Sequence, residues 1–309
     1  MFANFVESGA APVFTGARAR NTMLDWFFYD VENLSLAERS QLIAERNREG
    51  AILVVWPRGE RGDLSITKFA DYEGLRAAPG RMLQRFSIAG VGSSDVGAAA
   101  FARALADHYG EPVGAIVAGY GVADLLSEAM GGWFVLGGAN RVMQMYHDAL
   151  DRAGAAEAGD GPGPDLPDGL EAAATSAPRR RALERVDHRT DSATLTALLM
   201  DHDRQVISVA GHSKGCLSIA YALEALCLSG PAETVARQCG MRITTVGAVT
   251  AMPRAFANVG QYLGELDWFG GMNSRRALGY TTIPGAWHHL NTRLPGHLDL
   301  AEVLALEPA

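Results

Sequence analysis

The chain has 309 residues, 48% of them hydrophobic and 20% charged, and carries a formal net charge of −8. That length and apolar content suit a single large domain with ample core, with room for a small insertion. The acidic balance argues against a nucleic-acid partner, which needs a basic face; the one dense basic run, Arg179–Arg180–Arg181, lies in a polar connector and reads as solvated. The three cysteines, Cys216, Cys227 and Cys239, show no zinc spacing and cannot all pair. Cys216 and Cys227 fall in an apolar helical stretch and read as core thiols of a reducing compartment. No apolar run suits a secretory leader or approaches the ~18 residues of a transmembrane segment, so a cytoplasmic location is expected.

Residues 1 to about 24 look irregular. Ser35-Leu36-Ala37-Glu38 is a capping box opening a helix that runs toward Arg48. Ala51–Trp56 is a strand closed by Pro57-Arg58-Gly59, and Asp63–Asp71 holds a weaker one. Gln84–Ala89 is the next strand and leads into Gly90-Val91-Gly92-Ser93-Ser94; an alanine-rich helix follows over Val96–His108. Pro112–Val117 is a further strand, and a helix is expected over Ala123–Met130. Strands alternating with helices point to an α/β fold with a largely parallel central sheet flanked by helices.

Residues 131–203 break that rhythm and form an inserted, lid-like segment. Within it, Ala153–Arg180 is dominated by Ala, Gly, Pro and Asp and reads as a flexible loop of about 153–180. A plain surface loop is as good a reading of that stretch as a lid. Trp133–Leu136 and Val142–Tyr146 are the better candidates for substrate-facing surface, and Thr190–Leu199 for a helix leading back to the sheet.

The centre of the chain is Gln205–Tyr221, QVISVAGHSKGCLSIAY. A β-branched run turns through Gly211-His212-Ser213-Lys214-Gly215 into a helix. This is the G-x-S-x-G nucleophile elbow in its required strand–turn–helix setting. Only hydrogen side chains fit where the turn brings chains together at Gly211 and Gly215. The turn presents the Ser213 hydroxyl and leaves the Lys214 N–H at a helix N-terminus, where an oxyanion is stabilised. His212 is expected to point away and pack.

A serine hydroxyl needs a histidine to take its proton and a carboxylate to orient that histidine. With this elbow the order along the chain is serine, acid, histidine. Strands at Arg242–Val249, Asn258–Leu266 and Leu278–Ile283 follow the elbow. Asp267 directly follows the second of these and is the expected acid, with Glu265 the nearby alternative and a turn or helix cap its plainer role. His297, just before a closing helix over Leu298–Leu306, is the first choice of base, with His289 and His288 close behind. The second oxyanion donor is expected from Val91 or Gly92. Gly90-Val91-Gly92 lacks the third glycine of a dinucleotide fingerprint, and neither a cofactor nor a metal is implied.

The elbow GHSKG together with ITTVGAV, VGQYLGELDWFGGMNS and HHLNTRLPGHLDL resembles the lipase class 3 branch of the α/β-hydrolase superfamily, over about residues 86–130 and 204–305. The resemblance implies an α/β-hydrolase fold and a carboxylic-ester hydrolase acting on a lipidic or acyl-chain substrate, with Ser213, Asp267 and one late histidine as its triad. Acyl transfer, thioester or polyester cleavage by the same residues, and a non-catalytic binding scaffold, are the rival expectations.

Overall fold

A computed structural model describes residues 24–44, 48–62, 65–79, 83–90, 93–118 and 191–306. The expected helix at Ala123–Met130, the apolar segments Trp133–Leu136 and Val142–Tyr146, and the loop at 153–180 lie outside the described residues. Among those described, the architecture is α/β: a mostly parallel, mixed sheet of eight strands flanked by helices. The strands are β1 (Ile52–Val55), β2 (Ile66–Phe69), β3 (Arg85–Ile88), β4 (Val113–Ile116), β5 (Ser208–His212), β6 (Arg242–Val246), β7 (Val259–Gly264) and β8 (Thr281–Ile283). The helices are α1 (Leu36–Ala44), α2 (Tyr72–Ala77), α3 (Asp95–Tyr109), α4 (Asp191–Met200), α5 (Lys214–Ser229), α6 (Ala232–Gln238), α7 (Trp268–Met272) and α8 (Leu300–Ala305). No helix among the described residues is long and apolar enough to cross a membrane.

The spatial order is β2-β1-β4-β3-β5-β6-β7-β8. β1 runs antiparallel to both neighbours, because the Pro57–Gly62 turn folds it straight back onto β2; every other pairing is parallel. Alternation along the strands feeds two cores. Leu53, Val55, Val113 and Ala115 face α3, whereas Ile52, Ile116, Val209 and Ile243 face α4 and α5. The capping box forms as the sequence predicts: the Glu38 N–H donates to Ser35 Oγ (3.1 Å) and the Ser35 N–H to Glu38 Oε2 (2.8 Å).

The topology decides where a site can be. From β3 the chain moves outward to β4 on one side; from β5 it moves outward to β6 on the other. The β3/β5 junction is therefore the point at which strand order reverses, and the crevice beyond the carboxyl ends of such strands is where open α/β sheets hold ligands. Ile88 of β3 lies beside Gly211 of β5, so the loop after β3 and the elbow emerge together at that crevice.

Candidate active site

β5 ends at His212 and the chain reverses at Ser213, with φ 53° and ψ −120°. Among the described residues it is the only non-glycine with positive φ. Such backbone costs about 1–3 kcal/mol and persists only where the surroundings enforce it. Here the Ser213 N–H donates to the Val246 carbonyl at the end of β6 (2.9 Å), and the Ser213 carbonyl accepts from Cys216 N–H (3.0 Å) as α5 begins. Gly215 passes so close to β3 that a Cβ there would lie 2.1 Å from the Ile88 carbonyl oxygen, and one at Gly211 would lie 2.7 Å from Ile219 Cδ1. Both glycines are thus sterically required. Ser213 occupies the N-cap of the 16-residue α5, with the Lys214 amide in its first turn, at the positive end of the helix dipole.

Three residues beyond β7, Asp267 is fully buried and serves two partners at once. Its Oδ1 caps α7 by accepting the Gly270 N–H (2.6 Å); its Oδ2 accepts from His288 Nδ1 (2.7 Å). The cap and the pairing role that the sequence left as alternatives coexist on two oxygens of one carboxylate. The Nδ1 proton donated to Asp267 leaves the lone pair of His288 on Nε2. The His288 ring is held edge-on to Phe269 (centroids 4.7 Å apart) and lies 5.0 Å from the His212 ring.

The structure separates the three late histidines by their partners, and it is His288 rather than His297 or His289 that meets Asp267. His297 Nδ1 bonds the Leu294 carbonyl of its own loop (3.1 Å), and His289 packs between Phe27 and Trp287, with burial holding its pKa below the usual range. The reason is backbone pairing that outlasts the strands. Beyond β7 and β8, Glu265 N–H donates to Ile283 O and Leu266 N–H to Ala286 O, both at 2.9 Å. This clamps the stretch just after β8 beside Asp267, and His288 is the histidine in that stretch. Glu265, the alternative acid, instead accepts the Gly285 N–H at the surface.

His212, Tyr29 and Asp25 form a second buried layer. His212 Nε2 faces the His288 carbonyl (3.0 Å), an acceptor only, so that nitrogen carries the proton. Nδ1 then accepts from the Tyr29 hydroxyl (2.8 Å), which itself accepts the Gly90 N–H (2.8 Å). One chain of hydrogen bonds therefore ties the loop after β3, the elbow and the main chain of His288. Phenylalanine at Tyr29 would leave the Gly90 N–H and His212 Nδ1 buried and unpaired. A loss of roughly 2–3 kcal/mol, read as a lower urea midpoint, is the expected result. Asp25 accepts from the Ser93 and Ser94 hydroxyls and the Ser94 N–H at the start of α3, pinning the same loop from the other side. Val91 and Gly92, the expected second oxyanion donors, lie outside the described residues. A Cβ on neighbouring Gly90 would sit 3.3 Å from Ser213 Cβ, so this loop borders the serine.

Two of these buried groups give opposite pH signatures. Burial, with His288 nearby, pulls His212 down to about 3; burial pushes Asp25 up to about 7 against its hydrogen-bond donors. Between about pH 4 and 6.5 the unfolded chain carries a proton on His212 that the folded chain lacks, so stability rises with pH by up to ~1.4 kcal/mol per unit. Asp25 behaves in reverse: the folded chain keeps a proton that the unfolded chain has lost, and stability falls at a similar slope. The two contributions offset one another. Asp25→Asn removes only the second, so its stability is expected to climb roughly 2 kcal/mol more than that of wild type from pH 4.5 to 6.5. Equal slopes in urea titrations would contradict this.

Cys216 lies beneath the elbow, its Sγ 3.3 Å from the Gly211 carbonyl, and burial pushes its thiol up to about 12, so it is a packing group. Cys227 departs from the expected core placement: it lies on the exposed face of α5. No family model, curated protein or solved structure matches this chain. Asp201, His202 and Asp203 bring ligand atoms within 4.8 Å of one another, but two of the three are solvent-exposed and they precede β5, away from the elbow. Tyr29 and Asp25 carried no signal in the sequence, since both act across more than sixty residues of separation.

Proposed function

We propose that the protein is a serine hydrolase of the α/β-hydrolase type that cleaves carboxylic esters through an acyl-enzyme on Ser213. The observation that carries this reading is the conjunction of a strained, enforced serine turn at the strand-order reversal with a buried Asp267–His288 pair on the same rim. Ser213 Oγ attacks the ester carbonyl as His288 Nε2 takes its proton. Asp267 holds the imidazole in the needed tautomer and stabilises the imidazolium that forms. The Lys214 N–H donates to the developing oxyanion, aided by the α5 dipole and by a donor from the loop after β3. His288 then protonates the leaving alkoxide, and water, activated by the same nitrogen, releases the acid.

Exposed apolar residues support an acyl-chain substrate. Leu266, Trp268 and Met272, on and beside α7, are 58%, 59% and 49% exposed, and Trp26 and Phe27 are exposed on the segment that packs against Trp287 and His289. The three free thiols accord with a cytoplasmic enzyme.

A fluorophosphonate probe tests the chemistry. Wild type should be labelled and Ser213→Ala should not, and the labelled enzyme should lose nitrophenyl-ester hydrolysis. A folded wild type that takes no label would leave a binding scaffold as the correct reading. Product analysis with an added alcohol or thiol acceptor separates hydrolysis from acyl transfer.

A further inference from the structure

A cavity lies at the end of the sheet opposite to Ser213. It has a volume of about 550 Å³ and opens where β3 and β4 begin and β1 ends. Ser213 lies beyond the other end of these strands, and the four residues of β3 alone span about 13 Å. The volume falls in the range of small-molecule sites. Val54, Phe69, Leu75 and Leu83 give the cavity an apolar floor. Among the described residues its charged lining is one-sided: Arg61, Arg76, Arg85 and Arg204 against the single carboxylate of Glu111, in a chain whose net charge is −8.

The four arginines are not equivalent. Arg85 is matched by Glu111 (3.1 Å) and Arg204 by Asp201 (3.5 Å). Arg204 is 4% exposed, and its Nε is the atom that faces Asp201 Oδ2, at a distance too long for a hydrogen bond. Among the described residues, Arg61 and Arg76 have no carboxylate within ion-pair distance, although the Asp201 carboxylate acts on Arg76 at longer range. The Arg61 guanidinium lies 3.7 Å from the Trp56 ring centroid, a stack that holds its plane at the mouth. An apolar floor beneath four guanidinium groups suits a ligand with a hydrocarbon body and one oxyanion head, since arginine binds carboxylate and phosphate through paired N–H donors.

We propose that this cavity is a second binding site, separate from the Ser213 rim, for an amphiphile with a single carboxylate or phosphate head group. Titration calorimetry on full-length Ser213→Ala protein tests it with decanoate, decyl phosphate and decanol. At least one of the anions is expected to bind at least tenfold more tightly than decanol. Which anion binds better identifies the head group. Both rim arginines are exposed, so Arg61→Gln/Arg76→Gln should fold normally, and it should bind the preferred anion at least tenfold more weakly. No binding of either anion, decanol binding as tightly as the anions, or affinity unchanged in the double variant would each overturn the proposal. The readout is independent of turnover, so it stands or falls separately from fluorophosphonate labelling at Ser213.

Discussion

His288→Ala is expected to lower kcat/KM toward a nitrophenyl ester roughly a thousandfold, while His297→Ala stays within about threefold of wild type. The asymmetry follows from hydrogen bonding. His288 Nδ1 is committed to a buried carboxylate, which fixes the ring and leaves Nε2 basic; His297 Nδ1 is committed to a carbonyl of its own loop. Removing the His288 ring also takes a hydrogen bond from the buried Asp267 carboxylate, which by itself can cost about 1–3 kcal/mol. Lost activity alone would therefore be ambiguous. Added imidazole resolves it, because the truncated side chain leaves a ring-sized space bounded by Phe269 and His212. Restoration of part of the rate by imidazole identifies a missing base in a folded protein. An active His288→Ala enzyme beside an inactive His297→Ala enzyme would remove His288 from the mechanism.

The contrast between the elbow and the histidines shows what this sequence encodes locally. Ser213, Gly211 and Gly215 are read together because the turn's demands fall within five consecutive residues, and the clash that Gly215 avoids is a property of that turn against its neighbouring strand. The Asp267 cap is legible because an aspartate just ahead of a short helix accepts the N–H three residues on. His288, His289 and His297 share one loop without periodicity, and which of them meets Asp267 rests on Leu266 and Ala286 pairing beyond the strands, a contact invisible in the sequence. Long-range polar ties are hidden for the same reason. Glu38 is legible as half of a capping box, yet its other oxygen takes Arg103 (2.7 Å) and Ser65 (2.7 Å), joining α1, α3 and the segment before β2. Helices α2, α6 and α7 escape the sequence reading because they are five to seven residues long. With two glycines in five positions, α7 has little intrinsic helix preference and depends on its Asp267 cap.

That double use of Asp267 allows chemistry and folding to be separated in one residue. In Asp267→Asn the amide oxygen can still accept the Gly270 N–H, so the α7 cap survives and Tm is expected to stay within a few degrees of wild type. The amide nitrogen, however, now faces His288 Nδ1 and cannot accept its proton. The ring must flip tautomer, placing the proton on Nε2, the atom that has to receive the serine proton. A kcat loss of roughly 10³–10⁴-fold is expected, the size such a tautomer change produces in serine-protease triads. Asp267→Ala should be equally inactive but also unstable. It loses the cap, about 1 kcal/mol, and leaves the buried His288 Nδ1–H unpaired, about 1–3 kcal/mol more. At about 2–4 °C per kcal/mol in a chain of this size, its Tm should fall by roughly 5–10 °C. An asparagine variant that folds like wild type and keeps kcat within tenfold would mean that Asp267 serves the fold alone, and that the Ser213 proton leaves by another route.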